Sequence, residues 1–295
     1  MKTSSDDSKG LLAAITCYML WGLVPIFWKQ LKHIPALELI NHRVIWSVVI
    51  LLVIILAQKR FKTYVHGFLT AKSFFTLLLT TILISTNWLI FIWAVNENHI
   101  LDTSLGYYIN PILNIFLGSL ILKEKLSKLQ KWAVAVAAIG VLSLIISIGY
   151  LPWISLVIAL SFALYGFVRK IAPMDPVIGL AQEASLLLVP ALTYLYYLEG
   201  QGRSSFGHNG FDSVMLFMCG VITTVPLLLF LFSLKRIKLS TIGILQFITP
   251  TTTFFLAVFY YGEPFEKAKI FAFALIWLSV GMYISDLRLK GQSKP

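Results

Sequence analysis

Ionisable side chains stand inside two long apolar runs of this sequence, where such groups are rare. Glu38, His42 and Arg43 belong to the run ALELINHRVIWSVVILL, and Glu183 belongs to GLAQEASLLLVPAL. Glu38 and His42 are four residues apart, so on a helix they share one face. Groups of this kind pair with each other, bind charged solutes or carry protons. Two simpler interpretations stay open: Arg43 extends to lipid headgroups, and Glu183 is protonated and bonded to helix backbone.

Aromatic and amide side chains concentrate on several other runs and could line a path for a solute. The candidate pathway residues are Trp21, Asn87, Trp88, Tyr107, Tyr108, Asn110, Asn114, Tyr165, Thr224 and Gln246. Trp88 and Tyr108 are expected to stack on the solute. Asn87, Asn110 and Gln246 are expected to hydrogen-bond with it. The alternative is that these side chains only hold helices together, as polar and small residues do in membrane bundles.

The composition indicates that the elements carrying these residues are membrane helices. Hydrophobic residues make up 58% of the chain and charged residues 13%, against roughly 45–50% and about 25% in soluble domains. Ten runs reach the roughly 20 apolar residues that a spanning helix needs. They fall at about 11–30, 36–57, 73–95, 102–122, 130–148, 151–168, 176–198, 213–234, 240–261 and 268–287. Since the runs lack β-barrel alternation, the predicted fold class is an all-α integral membrane protein with ten transmembrane helices.

Positive charge is concentrated in the loops between the runs. With a cytoplasmic N-terminus, eighteen of the 24 Lys and Arg residues lie on the cytoplasmic side and five on the outer side. This asymmetry obeys the positive-inside rule and predicts that both termini are cytoplasmic. We therefore attribute the net charge of +11 to basic loops that lie at an anionic membrane surface. Nucleic acid is not an expected partner. The polar segment Glu199–Phe211 is predicted to be a flexible outer loop.

A shift of 139 residues relates the two halves of the chain. It carries Pro111, Glu124 and Lys128 onto Pro250, Glu263 and Lys267. The predicted units are a first five-helix repeat at 10–148, a second at 151–287, and cytoplasmic tails at 1–9 and 288–295. Because proline donates no backbone hydrogen bond, Pro111 and Pro250 are expected to kink their helices.

The odd number of helices in each repeat determines how the halves are related. After five crossings the second repeat enters the membrane in the opposite sense, so the repeats are expected to be inverted. Inverted repeats suit alternating access, because exchanging their conformations exchanges the open side. Inversion also places Arg43 and Glu183 at opposite depths. We therefore take as a hypothesis that they mark the two ends of one polar path.

The sequence lacks the motifs of enzymes, metal sites and ATP-driven pumps. HExxH, GxSxG, the Walker GxxxxGK[ST] and DxDxDG do not occur. Because each motif supplies residues that its chemistry requires, we expect no enzymatic activity, no cofactor and no metal. Cys17 and Cys219 lie in apolar runs without CxxC spacing, and both are expected to be buried and unbonded.

Several segments taken together resemble a known family. They are WGLVPIFWK at 21–29, HRVIWS at 42–47, NWLIFIWAVN at 87–96, LGYYINP at 105–111, and Tyr165 with Arg169-Lys170. With the Pro-to-Glu spacing in each half, they resemble the EamA family of the drug/metabolite transporter superfamily, and within it the RarD type. The resemblance implies a permease of the bacterial inner membrane. It also implies a pathway among the first, third, fourth, sixth, eighth and ninth helices, with Arg43 and Glu183 orienting helices or coupling ions.

These observations lead us to expect a secondary transporter of small amphipathic metabolites or drugs that works by alternating access. The expected partners are a small-molecule solute, the lipid bilayer and a coupling ion, H+ or Na+; a homodimer is compatible with the sequence. Two alternatives stay open, a channel-like protein and a membrane sensor or assembly partner that transports nothing. A channel needs a continuous polar pore, which the scattered polar residues do not favour.

Overall fold

The computed structural model describes residues 4–97, 99–262 and 267–292. Its elements are thirteen α-helices, two of which continue into a π-helical turn. The helices are α1 (Ser4–Gln30), α2 (Ala36–Ala57), α3 (Phe61–Leu69), α4 (Ala71–Asn96), α5 (Ile100–Phe116), α6 (Lys128–Ile148), α7 (Trp153–Ile171), α8 (Pro176–Leu186), α9 (Leu188–Gly200), α10 (Gly210–Leu234), α11 (Leu239–Gln246), α12 (Ile248–Phe255) and α13 (Lys267–Gln292). The π turns are Leu117–Ile121 after α5 and Leu256–Tyr260 after α12.

Most of the helices are long and apolar enough to cross a bilayer. Among the described residues, nine segments pass this test on length and hydropathy, and α8 with α9 form a tenth that bends by 46°. The predicted all-α membrane fold is therefore confirmed. Helix α3 was not predicted. It is short, has no buried residue and packs on α8 and α4, which is typical of a helix lying at a membrane surface.

Polar residues at the helix ends explain where several segments begin. Ser127 and Gln130 form a capping box at the start of α6. Asp175 accepts hydrogen bonds from two backbone amides at the start of α8, where Pro176 is the first helical residue. These caps satisfy amides that lack a partner within the helix.

The two halves pack against each other in a reciprocal pattern. Helix α1 of the first half packs on α10 of the second, and its counterpart α7 packs on α4. Equivalent segments also meet across the halves: α2 with α8 and α9, α5 with α11, and α6 with α13. The π turns repeat the same relation, since Leu117–Ile121 and Leu256–Tyr260 are 139 residues apart. Such pairing is expected of two structurally equivalent halves. Glu263 and the Lys267 side chain, used to predict the repeat, lie outside the described part.

The helix ends rich in Lys and Arg gather at one face of the bundle, here called the basic face. It comprises the ends of α2, α5, α7 and α10 and the starts of α6, α8 and α11, which side chains such as Arg60, Lys170 and Lys238 connect. Glu124 closes this face by accepting hydrogen bonds from the amides of Leu239 and Ser240, at 2.7 and 2.9 Å, and from the Ser240 hydroxyl. The carboxylate of one half thus caps a helix of the other.

Glycine makes the close approach of α5 and α11 possible. A Cβ at Gly243 would lie 2.6 Å from the carbonyl oxygen of Pro111. A Cβ at Gly118 would lie 2.7 Å from both the Glu124 carboxylate and the Ser240 amide. Because real Cβ atoms do not approach backbone atoms this closely, the helix pair requires these glycines.

Candidate functional site

A small cavity lies between α2, α4, α8 and α10. Its polar lining comes from Ser47, Glu183, Thr223 and Thr224, with Trp88 and apolar side chains completing the wall. Its volume is about 20 Å³, which accommodates a single water molecule. The structure therefore represents a conformation in which this position is too small for a metabolite.

Arg43 lies beside this cavity and faces the protein interior. Its Nε donates a 2.8 Å hydrogen bond to the hydroxyl of Thr223 on α10. The guanidinium carbon lies 5.5 Å from the ring centroid of Trp28 and 5.0 Å from that of Trp88. The side chain is thus directed towards helices α1, α4 and α10 rather than towards lipid.

Glu183 forms a buried charged cluster at the other side of the cavity. Its Oε2 accepts a 2.9 Å hydrogen bond from the hydroxyl of Tyr165. Its Oε1 lies 3.5 Å from Nη1 of Arg169, and both side chains are at most 2% exposed. Arg169 Nη2 also donates to the carbonyl groups of Asp175 and Pro176. An ion pair removed from water in this way requires such additional hydrogen bonds.

The cavity separates these two charged groups. Glu183 lines it directly, whereas Arg43 is connected to it through Thr223 and Trp88. Thr224 also lines it, and its hydroxyl is buried without a hydrogen-bond partner in the part of the chain that the structure describes. The sequence did not reveal that the partner of Glu183 is Arg169 rather than Arg43.

A second polar network joins α5, α7 and α11. Asn110 donates to the carbonyl oxygen of Ala159 at 2.6 Å. Asn114 donates to Asn110 at 2.9 Å and to Gln246 at 2.8 Å. All three amide side chains are buried, so the network holds the central helices of the two halves in register.

The remaining candidate pathway residues contact other helices. Trp21 packs against Tyr18, Phe162 and Phe230 at centroid distances of 5.7 to 5.8 Å. Asn87 donates a hydrogen bond to the carbonyl oxygen of Ile158. Two tyrosines pack edge-on against phenylalanine rings, Tyr107 against Phe91 and Tyr108 against Phe273. In this conformation the structure brings Trp88 and Thr224 to the cavity but places Tyr108 against α13.

The two prolines act differently on their helices. Helix α5 continues through Pro111. Pro250 is the third residue of α12, and the helical run is interrupted at Phe247, just before it. Since proline removes a backbone hydrogen bond one turn earlier, the interruption between α11 and α12 lies where Pro250 is expected to act.

Glu38 and His42 hold the loop between α9 and α10, residues 201–209. Glu38 is fully buried and accepts hydrogen bonds from the amide and the hydroxyl of Ser205, at 2.6 and 3.0 Å. Phe206 packs on His42 and Trp46 at centroid distances of 5.3 and 5.8 Å. The loop that the sequence predicted as flexible is therefore attached to α2, next to Arg43.

An open depression lies at the face opposite the basic face. It has a volume of about 430 Å³ and is lined by Trp28, Lys32, His33, Val95 and neighbouring residues of the α1–α2 turn. Trp28 thus separates this depression from Arg43. Lys32 and His33 are exposed, and His33 lies 3.1 Å from Asp212.

Electrostatic interactions at the basic face are strong. Burial raises the pKa of Asp175, but hydrogen bonds from Arg60 and two backbone amides outweigh it, so the net pKa is lowered. The ionised Asp175 therefore stabilises the fold at neutral pH, and this contribution is lost as the pH falls through the lowered folded-state pKa. Burial and the nearby charges of Arg169 and Lys170 lower the pKa of Lys235 to about 8.

The sequence analysis did not assign Arg169 and Trp28 to the site, although both occur in segments that carry the family resemblance. Arg169 was counted as a loop charge, although it lies in α7 and is 1% exposed. Its spacing of four residues from Tyr165 places both on one helix face, and this was the available signal. Within the described residues, no group of three or more His, Cys, Asp or Glu is arranged to hold a metal ion.

Comparison with known proteins agrees with this architecture. A model of the EamA-like transporter family matches residues 8–146 and 150–285. An uncharacterized transporter of Vibrio cholerae serotype O1 is 44% identical over 282 residues, covering 95% of this chain and 93% of the relative. Protein RarD of Escherichia coli strain K12 is 39% identical over 287 residues, covering 96% of each. A solved crystal structure covers 93% of this chain and 96% of its own, with a TM-score of 0.68 at 16% identity.

The apolar helices, their pairing across two halves and the charged groups around a central cavity define a multi-pass membrane transport protein. The chain belongs to the EamA-like transporter family, and within it to the RarD type. The resemblance identified from the sequence is therefore confirmed, and the protein is a membrane transporter of the drug/metabolite superfamily.

Proposed function

We propose that this protein is a secondary transporter that moves small amphipathic solutes by alternating access between its two halves. The observation that carries the proposal is the cavity between Arg43 and Glu183, lined by segments of both halves. At about 20 Å³ it is closed to solutes, and rocking of one half against the other would enlarge it.

Contacts that close the two faces of the bundle identify the parts of the protein that must move. Glu124 fastens α11 at the basic face, while Glu38 and Phe206 fasten the α9–α10 loop at the other face. In the proposed cycle these two contacts open in turn. We place the basic face in the cytoplasm of a bacterial cell and the protein in its plasma membrane, because the loop charges follow the positive-inside rule.

We propose Glu183 as the site of a coupling proton. Protonation would remove its charge and weaken its ion pair with Arg169, which holds α8 against α7. Because α8 and α9 meet at a bend beside the cavity, release of this pair would alter the shape of the cavity. The binding of a proton would thus be linked to the conformation of the seventh segment.

Transport in proteoliposomes tests the proposal. Purified protein would be reconstituted and preloaded with a bacterial metabolite extract, and uptake of labelled solutes would be followed with and without a pH gradient. We expect saturable uptake that is stimulated by solute on the opposite side. A Glu183→Gln variant should retain exchange but lose accumulation driven by the pH gradient, since glutamine cannot titrate.

Other results would exclude this function. Single-channel currents, or flux that does not saturate, would identify a channel. Absence of flux for every solute in a protein that remains folded would favour a sensor or assembly partner. As a control, Asp175→Asn changes a carboxylate outside the cavity and should leave gradient-driven accumulation intact.

A further inference from the structure

Arg43 has unused hydrogen-bonding capacity. A guanidinium has five N–H donors arranged as a planar fork, and among the described residues only Nε has an acceptor, the Thr223 hydroxyl. No carboxylate of the described residues lies within 4.0 Å of it, in contrast to Arg169, which pairs with Glu183. The two Nη groups therefore have no carboxylate partner within the described ranges.

The surroundings of Arg43 limit what this anion can be attached to. Trp28 and Trp88 present their rings at 5.5 and 5.0 Å from the guanidinium carbon. Aromatic rings attract a cation but supply no negative charge to compensate it. They do offer apolar surface to a ring or hydrocarbon chain bound beside the guanidinium.

The approach to Arg43 contains the cationic side chain of Lys32 and a histidine, His33, that lies 3.1 Å from Asp212. The open depression of about 430 Å³ is separated from Arg43 by Trp28 and is lined by Lys32 and His33. Its volume lies in the range of sites for small molecules, about 300–1,000 Å³. A cationic group such as Lys32 at the mouth of a site raises the local concentration of anions.

We propose that the transported solute is an organic anion, with one carboxylate or a similar oxyanion on an aromatic or apolar body, and that Arg43 binds the anionic group. The oxyanion accepts hydrogen bonds from the two Nη groups as a bidentate pair. The apolar body lies between Trp28 and Trp88. The inference rests on the proposed transport function, since it names the class of solute.

A pair of isosteric probes tests the inference by binding. Phenylacetate and phenylacetamide have the same shape and differ in charge. Affinities would be measured from the thermal shift of purified protein in nonionic detergent at constant chloride. We expect the wild type to bind phenylacetate about 10-fold or more tightly than phenylacetamide, because hydrogen bonds to charged groups are strong. In Arg43→Gln the ratio should fall to about one.

Two further variants show whether the effect belongs to Arg43. Arg43→Lys keeps the positive charge but not the planar fork of donors, so the preference for phenylacetate should persist at a weaker affinity. This variant also provides the test if Arg43→Gln does not fold. Arg60→Gln is the matched control, since Arg60 lies at the basic face and pairs with Asp175. Its preference for the acid should equal that of the wild type.

A lipid phosphate offers the same chemistry as a soluble oxyanion, and a separate arm distinguishes the two. The thermal shift would be repeated in nanodiscs of phosphatidylcholine alone and of phosphatidylcholine with phosphatidylglycerol. The inference requires the Arg43-dependent acid preference in phosphatidylcholine alone. Stabilisation by phosphatidylglycerol that depends on Arg43, without any preference for phenylacetate, would overturn it.

The outcomes separate this inference from the transport function. Equal affinity for the two probes in the wild type, together with solute flux in proteoliposomes, would reject the anionic solute but retain the transporter. An Arg43-dependent preference for phenylacetate without flux of any solute would retain the anion site and reject transport.

Discussion

At the scale of single residues, three charged side chains in this membrane protein have different surroundings. Arg169 and Glu183 form a pair that is almost fully buried, whereas Arg43 lies between two tryptophans without a carboxylate partner among the described residues. A paired charge is mainly a structural or coupling element, while an unpaired one is available to a ligand. This contrast is the reason that we propose proton coupling for the Arg169–Glu183 pair and anion binding for Arg43.

The ion pair predicts an asymmetric response to substitution. Arg169→Met leaves the Glu183 charge uncompensated, so we expect a loss of about 3–5 kcal/mol in the free energy of unfolding. The double variant Arg169→Met with Glu183→Gln should recover part of this loss, because no isolated charge remains. The stabilities of the single and the double variant would be measured by thermal unfolding in detergent, with tryptophan fluorescence as the signal. A double variant less stable than Arg169→Met alone would contradict the pairing.

At the scale of elements, the segments that meet across the halves are held by close backbone contact and by helix capping. Gly243 allows α11 to lie against α5, and Glu124 caps α11 from the loop that follows the π turn. Pro250 and the interruption at Phe247 divide the ninth segment into shorter helices. Such breaks let one part of a segment move while the other stays packed.

Substitution of a glycine between α5 and α11 tests this contact. In Gly243→Ala the added methyl group meets the Pro111 carbonyl, so we expect a loss of about 1–3 kcal/mol in stability. Gly281→Ala in α13 is the matched control, because a Cβ there has no neighbour within 4 Å. It should keep or raise the melting temperature, since alanine favours helix more than glycine does.

The cap at the basic face provides an independent test. Glu124→Ala removes the acceptor for two amides at the start of α11 and should cost about 1–2 kcal/mol of stability. Glu124→Gln keeps an acceptor oxygen and should cost less. The melting temperatures of the two variants give the comparison, and equal losses would show that the charge of Glu124 matters more than its role as a hydrogen-bond acceptor.

At the scale of the whole molecule, the proposed topology predicts which loops face each side of the membrane. Cys17 and Cys219 are free and buried, so native thiols should react little with a membrane-impermeant maleimide. His208→Cys, in the exposed α9–α10 loop, should be labelled in intact cells stripped of their outer barrier. Gln58→Cys, at the basic face, should be labelled only after the plasma membrane is permeabilised. The reverse pattern would invert the topology.

Much of this architecture follows from the sequence alone. Continuous apolar runs can satisfy their backbone groups in lipid only as helices, so the membrane fold and nearly all segment positions were predictable. The shift of 139 residues predicted the repeat, and the structure shows the same shift between the two π turns. The amphipathic α3 was not predicted because it is too short to span and lies in a basic loop.

Only the tertiary structure decided which polar residues meet. The sequence identifies Arg43 and Glu183 because a charged side chain inside the membrane costs free energy. That cost does not show which residue compensates each charge. The Arg169 side chain on α7 reaches Glu183 on α8, and the Arg43 side chain on α2 extends between Trp28 of α1 and Trp88 of α4. The sequence therefore determined which residues need compensation, whereas side-chain contacts between different helices determined what supplies it.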